Sequence, residues 1–452
     1  MKVQQVSLSQ TQVAKDAHCL ALTPELLAAT GARYSRSNEG LDKIVSRIDW
    51  NNQDASVDGI FRMVDYGHAS IADMAPVAMF IDGISIYALF MLWYLSPTAS
   101  GQESSTRYIN YDASGVMKAK ELGISNQKEY LSFVNNAFGQ YKKAVKIWTD
   151  AATTDPTIMG IPKEIIEDIS EKGKRKLERM KRNFAFDRAR IYLPICAKSN
   201  AMLIMSARSW VELISTLLSS PLKELNSLGK QMTNQLALVT PRLIKHAVAK
   251  PETTKTLEHN SKYAKKLKIP KAKADGAYFA MYEMKKSNLK QGLINRLNRY
   301  SLCGDEIRTI PVKFGWKHIA FAEIRDLNRH RTGQKLLVPR PNGFHDTIDQ
   351  APNKKVAKQL TALSKFGLQT LKKVGEKYEK NDPTFPYFTL LGHTYWFEHT
   401  TTLDKYIYEA ELRTGMGAHY RYAEHLRNTL NILYKLHPEL KGVVKEGRGE
   451  PE

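Results

Sequence analysis

The sequence predicts an α+β protein with two homologous domains, each a small antiparallel sheet packed by long helices. In both halves of the chain, a predicted strand is followed by a helix and then by long amphipathic helices. The two copies lie more than about 200 residues apart, a spacing that indicates duplicated domains rather than a solenoid. A lysine-rich stretch separates them. We therefore expect one domain at residues 1–249, a linker at 250–275 and a second domain at 276–452.

The predicted elements follow the hydrophobic pattern along the chain. An apolar run at 75–95 is long enough to suggest a membrane span, but Asp82 and Gly83 interrupt it, and a charge inside lipid is costly. We therefore expect a buried strand at 75–83, an apolar helix at 84–94 and no membrane segment. The second half has a strand at 311–316 and a helix at 318–331. Further helices are predicted at 127–153, 162–183, 354–380, 402–413 and 419–434.

Two stretches are strongly basic. Residues 250–273 contain eight lysines and two acidic residues, with Pro251 and Pro270 near the ends, which predicts an exposed linker that could also bind polyanions. Residues 172–182 carry a second cluster of lysines and arginines, which we interpret first as a solvated helix face. The net charge of the chain is +21. A charge of this size attracts small anionic substrates and nucleic acid alike, so nucleic-acid binding stays open.

Composition otherwise indicates an ordinary globular protein. The chain has 452 residues, of which 42% are hydrophobic and 25% charged. Cys19, Cys196 and Cys303 lie far apart and form no metal-binding spacing, so we expect no metal site and a reducing compartment. The first residues lack the apolar core of a signal peptide. These features together predict a cytoplasmic protein.

The densest chemical motif is SGQESSTRY at residues 100–108, directly after the apolar run. In an extended segment Ser105 and Arg107 point the same way, and a hydroxyl beside a guanidinium suits a phosphate. Glu103 places a carboxylate two residues from Ser105. The alternative is an Arg–Glu pair that holds a surface turn.

Two further arginine motifs have structural alternatives as well. Arg329, His330 and Arg331 end a predicted helix, where cations also serve as a C-terminal cap because they suit the negative end of the helix dipole. Arg208 and Glu212 are four residues apart on one helix face, so a surface ion pair is the plainer interpretation.

Residues 93–108 resemble the signature R-H-R-x-x-S-x-N-E-x-S-x-R-Y of flavin-dependent thymidylate synthases. Ser100, Glu103, Ser105, Arg107 and Tyr108 match it, and Gln102 stands for the asparagine, but Leu, Ser and Pro occupy the R-H-R positions. The second half supplies that tripeptide at 329–331. The stretches 66–71, 190–194, 206–209 and 411–419 resemble further elements of the family. The resemblance therefore implies two family copies, each of which keeps the part that the other has lost.

The resemblance also implies residue roles. Position 413 corresponds to Leu217 in the first half, while Arg190 falls opposite Pro386 and Arg208 opposite Asp404. The implied dUMP-binding residues are Gln102, Glu103, Ser105, Arg107, Arg190 and Arg413, with Arg413 and Ser105 as the catalytic residues. The implied FAD-binding residues are Arg329, His330, Arg331, Arg208 and His419.

The activity that the resemblance implies is the reductive methylation of dUMP to dTMP. Such an enzyme uses FAD, with NADPH and methylenetetrahydrofolate as co-substrates, and needs no cysteine nucleophile. A homodimer of duplicated chains would imitate the homotetramer of the family. Two alternatives remain: a paralogue with altered pyrimidine-nucleotide chemistry, and a non-catalytic protein that binds nucleotides or nucleic acid on the same fold.

Overall fold

The computed structural model describes residues 1–65, 69–268, 274–283, 288–415 and 417–447. Two antiparallel four-stranded sheets and many helices confirm the predicted α+β fold class. The first three residues of the family-like stretch at 66–71, and two lysines of the predicted linker, lie outside the described residues. In the part of the chain that is described, no helix is both long and apolar enough to cross a membrane.

Each sheet uses strands from one half of the sequence. In the described residues the strands are β1 (Lys2–Val6), β2 (Pro76–Ser85), β3 (Ser100–Glu103), β4 (Lys198–Ser206), β5 (Tyr278–Met281), β6 (Pro311–Ala320), β7 (Gln334–Phe344) and β8 (His393–Thr402). The first sheet has the order β1-β2-β4-β3 and the second has the order β5-β6-β8-β7. The two sheets therefore repeat one topology.

The α-helices of the described residues follow the same repeated plan. They are α1 (Gln12–Asp16), α2 (Pro24–Tyr34), α3 (Leu41–Val45), α4 (Gln53–Asp65), α5 (Ile86–Leu95), α6 (Ala119–Leu122), α7 (Gln127–Thr154), α8 (Lys163–Ile166), α9 (Glu171–Ala189), α10 (Ala207–Leu218), α11 (Lys223–Ala237), α12 (Pro251–Lys266), α13 (Gln291–Ile294), α14 (Asp305–Arg308), α15 (Phe321–Leu327), α16 (Lys354–Glu379), α17 (Leu403–Thr414) and α18 (Tyr420–Leu436). One short helix follows β2 and one follows β6, namely α5 and α15. Two helices follow β4 and two follow β8, namely α10 with α11 and α17 with α18.

The strand registers repeat in detail. Pro76 of β2 pairs with the last residue of β4, and Pro311 of β6 pairs with the last residue of β8. Both central strands contain a bulge before their final two pairs. A shared bulge position is informative because an inserted residue changes which side chains face the core.

The chain forms two compact units that do not follow its linear order. Unit 1 contains residues 1–104, 117–123 and 198–261, and therefore the whole first sheet. Unit 2 contains residues 105–116, 124–197 and 262–452, and therefore the second sheet together with α7 and α9 from the first half. The predicted linear domains 1–249 and 276–452 are thus not the compact units, because the long helices of the first half pack with the second.

A pseudo-two-fold contact lies within unit 2. The correspondence that places Arg190 opposite Pro386 also places residue 193 opposite 389 and residue 195 opposite 391. The main-chain amide of Leu391 donates to the carbonyl of Leu193, and that of Ile195 donates to the carbonyl of Thr389. When each residue is replaced by its counterpart in the other half, each of these hydrogen bonds becomes the other one. A two-fold contact between identical subunits has the same property. Helices α7 and α16 pack together in the same unit.

The structure differs from the predictions at two basic segments. The helix predicted at 318–331 covers only Phe321–Leu327, because β6 continues to Ala320, so the R-H-R tripeptide follows the helix in a turn. The segment predicted as a linker contains the helix Pro251–Lys266, mostly exposed, with Ala264 as its buried residue. Lysine, glutamate and alanine are good helix formers, and proline is tolerated at a helix start, so this stretch has no internal breaker.

Candidate functional site

Asp326 is the centre of an ion-pair cluster in unit 2. Its Oδ2 accepts hydrogen bonds from both Nη atoms of Arg190, each at 3.2 Å, and its Oδ1 accepts one from Nη2 of Arg329 at 3.1 Å. Burial alone would raise the pKa of Asp326, but the guanidinium of Arg190, followed by that of Arg329, holds it well below its usual range. The carboxylate is therefore ionised and joins an arginine from each half of the sequence.

Arg413 contacts the same aspartate through the main chain. Its Nη2 donates to the carbonyl oxygen of Asp326 at 2.9 Å, and its Nε donates to Nε2 of His330 at 2.7 Å. Burial, together with the charge of Arg413, lowers the pKa of His330 to about 3. His330 is therefore neutral at physiological pH, with its proton on Nδ1, which lies 3.9 Å from Oε2 of Glu409. A neutral imidazole thus fixes the orientation of a charged guanidinium.

Around Arg190, two polar side chains complete the cluster. Thr106 accepts hydrogen bonds at Oγ1 from Arg190 at 3.3 Å and from Arg325 at 3.0 Å. Glu323 lies 3.9 Å from Arg190, is buried, and has no hydrogen-bond partner for its carboxyl oxygens among the described residues. Burial raises the pKa of Glu323. The Arg190 guanidinium therefore donates a hydrogen bond to one hydroxyl and lies near one buried carboxyl group.

Arg107 is held by Asp187 in a two-point ion pair. Its Nε and Nη2 donate to the two carboxylate oxygens at 2.7 and 2.9 Å, and its Nη1 donates to the carbonyl of Gly417 at 3.0 Å. His419 lies beside this pair, with its Nε2 3.2 Å from the main-chain oxygen of Asp187. Burial, followed by the charge of the nearby Arg190, lowers the pKa of His419 well below its usual value.

The prediction that Ser105 and Arg107 share one side of an extended segment is wrong. Strand β3 ends at Glu103, and Oγ of Ser105 accepts a hydrogen bond from the main-chain amide of Arg107 at 3.1 Å. Serine hydroxyls commonly close turns in this way. The Ser105 hydroxyl is therefore used locally, and the Arg107 side chain runs to Asp187.

The structure divides the predicted site residues between the two units. Unit 2 brings together Ser105, Arg107, Arg190, Arg329, His330, Arg331, Arg413 and His419. Unit 1 contains Gln102, Glu103 and Arg208. Gln102 pairs with Met202 in the sheet, and Glu103 accepts a hydrogen bond from Nε1 of Trp93 at 3.0 Å.

Arg208 forms the surface pair with Glu212 that its spacing suggested, and a second pair with Asp73. Its Nε lies 3.1 Å from Glu212 and its Nη1 lies 3.0 Å from Asp73, and 42% of its side chain is exposed. This geometry is that of a solvated ion pair, so the role of Arg208 toward FAD stays a prediction.

Sequence reasoning missed the acidic side of the site. Asp326 and Asp187 each precede an arginine of a singled-out motif by three residues, at Arg329 and Arg190. An acidic residue inside an arginine-rich stretch was therefore the available signal. Nothing local in the sequence indicates that Asp187 pairs with Arg107, because those residues are distant along the chain. Arg188, which lines a cavity in unit 2, was also missed, because Trp148 and Tyr420 beside it are distant along the chain.

Two of the predicted flavin residues fit a dinucleotide cofactor by their chemistry. Arg331 is exposed and Arg329 is 30% exposed, and two guanidiniums in one turn suit a diphosphate. His330 and His419 are buried and form hydrogen bonds within the chain. They are therefore better suited to orient the neighbouring Arg413 and Asp187 than to contact a ligand. Among the described residues, no group of three or more histidines, cysteines and carboxylates is arranged to bind a metal ion.

Comparison with known proteins gives a family match and several similar proteins. The family described as "Thymidylate synthase complementing protein" matches residues 20–242. The chain is similar to the UPF0159 protein Ta1429 of Thermoplasma acidophilum, with 23% identity over 481 aligned residues that cover 92% of this chain and 93% of the relative.

Two crystal structures of the UMP/dUMP methylase PolB from Streptomyces cacaoi are also similar. The complex with 5-Br dUMP has 16% identity and a TM-score of 0.33, and covers 54% of this chain and 93% of that one. The complex with 5-Br UMP has 15% identity and a TM-score of 0.31, and covers 55% of this chain and 96% of that one.

Proposed function

Because this chain belongs, through residues 20–242, to the thymidylate synthase complementing protein family, we propose that it methylates dUMP to dTMP as a flavin-dependent thymidylate synthase. The proposed cofactor is FAD, and NADPH and methylenetetrahydrofolate are the co-substrates. In this proposal the chain arose by duplication, two chains form a dimer that imitates a tetramer, and the enzyme works in the cytoplasm.

The observation that carries the proposal is the arrangement around Asp326. Arg190 comes from the half that kept the Ser-x-Arg-Tyr end of the signature, whereas Arg329 and Arg413 come from the half that kept R-H-R. All three guanidiniums bind Asp326, two at its carboxylate and one at its main-chain oxygen. If both domain copies had lost their function independently, their remaining site residues would not be expected to meet at one residue. They are expected to meet if each copy supplies part of one shared site.

Within this site, Arg413 is the proposed group that acts on the uracil ring. Its Nη1 has no hydrogen-bond partner among the described residues, while its other two nitrogens are fixed by His330 and Asp326. A pre-oriented cation stabilises negative charge that develops on the ring in the transition state. Arg190 and Asp326 position this group. FAD, held at Arg329 and Arg331, would supply the redox chemistry when bound.

The test is the Arg413→Ala variant. We expect its single-turnover rate of flavin oxidation with saturating dUMP to fall by about 100-fold or more, which is typical for loss of one such donor. Its affinity for dUMP, measured by titration of the flavin spectrum, should change much less. Arg308→Ala is the matched control, because Arg308 is an exposed arginine of unit 2 that pairs with Asp305.

The wild-type spectrum decides between the proposal and its alternatives. A yellow protein whose flavin responds to dUMP supports it. Flavin binding with no response to dUMP favours an altered pyrimidine-nucleotide chemistry, and a colourless protein that binds dUMP favours a non-catalytic role. Normal turnover and binding in Arg413→Ala would remove that residue from the catalytic site.

Nucleic-acid binding is a second candidate, favoured by the exposed face of α9. Within the described residues no ion pair forms at five exposed cations of this helix: Lys172, Arg175, Lys176, Arg179 and Arg182. Five phosphate contacts predict a slope of about −3.5 for log affinity against log salt with single-stranded RNA. Fluorescence anisotropy across salt concentrations measures this slope. Charge reversal of Arg175 and Arg179 should make the slope shallower, by the amount that corresponds to the loss of about two phosphate contacts.

A further inference from the structure

A small cavity in unit 2 lies beside an arginine that the proposed mechanism does not use. Its volume is about 90 Å³, which exceeds the space that one water molecule needs several-fold. Its apolar side includes Met159, Ile161 and Met180, and its polar side includes Asn183, Arg188 and Tyr420. The Arg107–Asp187 ion pair also lines it. The cavity therefore has room for one compact polar group.

Arg188 is half-buried, and its guanidinium has no counter-ion in contact. The guanidinium carbon lies 3.6 Å from the ring centre of Phe184, 4.6 Å from that of Tyr420 and 5.3 Å from that of Trp148. Its Nε is buried with no hydrogen-bond partner, and none of its donors has an acceptor among the described residues. The aromatic rings hold the guanidinium in place by stacking but satisfy none of its N–H groups.

The neighbouring carboxylates do not neutralise Arg188. Asp187 and Asp349 act on it only at longer range, outside ion-pair distance. Both oxygens of Asp187 already accept hydrogen bonds from Arg107. Burial therefore lowers the pKa of Arg188, the opposite of what a paired guanidinium shows. A buried N–H donor that lacks an acceptor is costly to keep, so the unpaired Nε of Arg188 calls for a ligand that accepts from this side chain.

We propose that this cavity binds one compact anion, a phosphate or carboxylate group, through Arg188. The ionised groups that line it are Arg107, Arg188 and Asp187, which leave one positive charge in excess. A guanidinium fork suits the oxygens of either anion. The Asn183 amide and the Tyr420 hydroxyl line the same space and add uncharged donors. The apolar wall accepts the uncharged remainder of the ligand.

Arg188 would then hold the anion for which the family resemblance implied Arg107. Because Asp187 already occupies the Arg107 fork, the cation that an incoming anion meets is Arg188. If the proposed function holds, one source of the anion is the phosphate of the nucleotide, and the other is the carboxylate of a co-substrate. The anion site itself does not require catalysis, so binding of inorganic phosphate tests it separately.

The first experiment is calorimetric titration of the full chain with inorganic phosphate. Arg188→Met keeps the length of the side chain and removes the charge, and we expect phosphate binding to weaken by about 10-fold to 100-fold. Arg308→Met is the matched control, because it removes one exposed positive charge from unit 2 outside the cavity. Equal weakening in both variants would mean general electrostatic attraction and would overturn the site.

A second variant reports on the site even if Arg188→Met fails to fold. Asn183→Asp introduces a carboxylate into the cavity as an internal counter-ion for Arg188. We expect it to raise the melting temperature of the chain and to abolish phosphate binding. A lower melting temperature together with unchanged phosphate binding would overturn the proposal.

Different ligands identify the source of the anion. If dUMP binding depends on Arg188 and deoxyuridine binding does not, the nucleotide phosphate is the ligand group. If acetate competes with phosphate and dUMP does not, the group is a carboxylate. Binding of none of these anions overturns the site. A chain that binds phosphate through Arg188 but never methylates dUMP contradicts the proposed function alone.

Discussion

The two sheets place a short helix at the same point of the same topology, yet the two helices are chemically opposite. Helix α5 follows β2 and has no charged residue, and most of its side chains are buried apolar groups. Helix α15 follows β6 and buries all seven of its residues, including Glu323, Arg325 and Asp326. The fold therefore fixes a buried position after the second strand of each sheet, and the residues of the helix decide whether apolar packing or ion pairing fills it.

The difference has an energetic consequence. Side chains of α5 are stabilised by removal from water, which needs no specific partner. The buried charges of α15 need partners from elsewhere, and Arg190, Arg329 and Arg413 provide them for Asp326. Unit 2 should therefore respond more strongly than unit 1 to cuts, to charge removal and to acid.

The largest expected effect comes from cutting the chain between its halves. Fragment 276–452 lacks α7, α9 and the strand-like partner of residues 389–391, all of which belong to unit 2. We expect it to show no cooperative thermal unfolding by circular dichroism, whereas fragment 1–249 keeps the complete first sheet. Mixing the fragments should restore part of the transition. A sharp melt of fragment 276–452 by itself would contradict the assignment of unit 2.

The next effect in size is removal of one buried carboxylate. Asp326→Asn leaves Arg190, which is 1% exposed, beside an uncharged partner, and breaking a buried ion pair costs about 3–5 kcal/mol. The free energy of unfolding in urea measures this loss. Asp73→Asn in unit 1 is the control, because Asp73 is 46% exposed and its pair with Arg208 should contribute less than about 1 kcal/mol. Similar losses in both variants would remove the contrast between the units.

Acid should act mainly through buried histidines of unit 2. Burial lowers the pKa of His330 to about 3 and that of His393 to about 4, both from 6.5. The unfolded chain binds more protons, so each histidine contributes stability above pH 6.5 that is lost as the pH falls toward the folded value. Lowering the pH from 7.5 to 5.5 should cost about 1 kcal/mol per histidine.

The His393→Gln variant measures one such contribution. Its loss of unfolding free energy between pH 7.5 and 5.5 should be smaller than that of the wild type by about 1 kcal/mol. His259→Gln, at an exposed position of α12, should keep the wild-type dependence. An unchanged dependence in His393→Gln would mean that this ring has the same pKa in the folded and the unfolded chain.

Hydrophobic pattern was sufficient to predict individual strands and helices because it is a local property. It predicted the strand and helix now seen at Pro76–Ser85 and Ile86–Leu95, and the long helix Lys354–Glu379, to within a few residues. It could not predict that α7 and α9 join the second half, since that depends on contacts distant in sequence. Motif resemblance likewise found the arginines but not their acidic partners. Asp326 lies beside Arg329 but also binds Arg190 from the other half. Asp187 binds the distant Arg107.

The pseudo-two-fold contact within unit 2 has a consequence for behaviour on dilution. In a separate dimer, the equivalent main-chain hydrogen bonds would form between two chains and would be lost as the protein is diluted. Here Leu391 and Leu193 belong to one chain, so the local concentration of one partner around the other is fixed by the connecting segment. The arrangement of Arg190, Arg329 and Arg413 around Asp326 should therefore persist at nanomolar protein concentration. The sequence of each half can also diverge while the other half stays bound to it in the same chain.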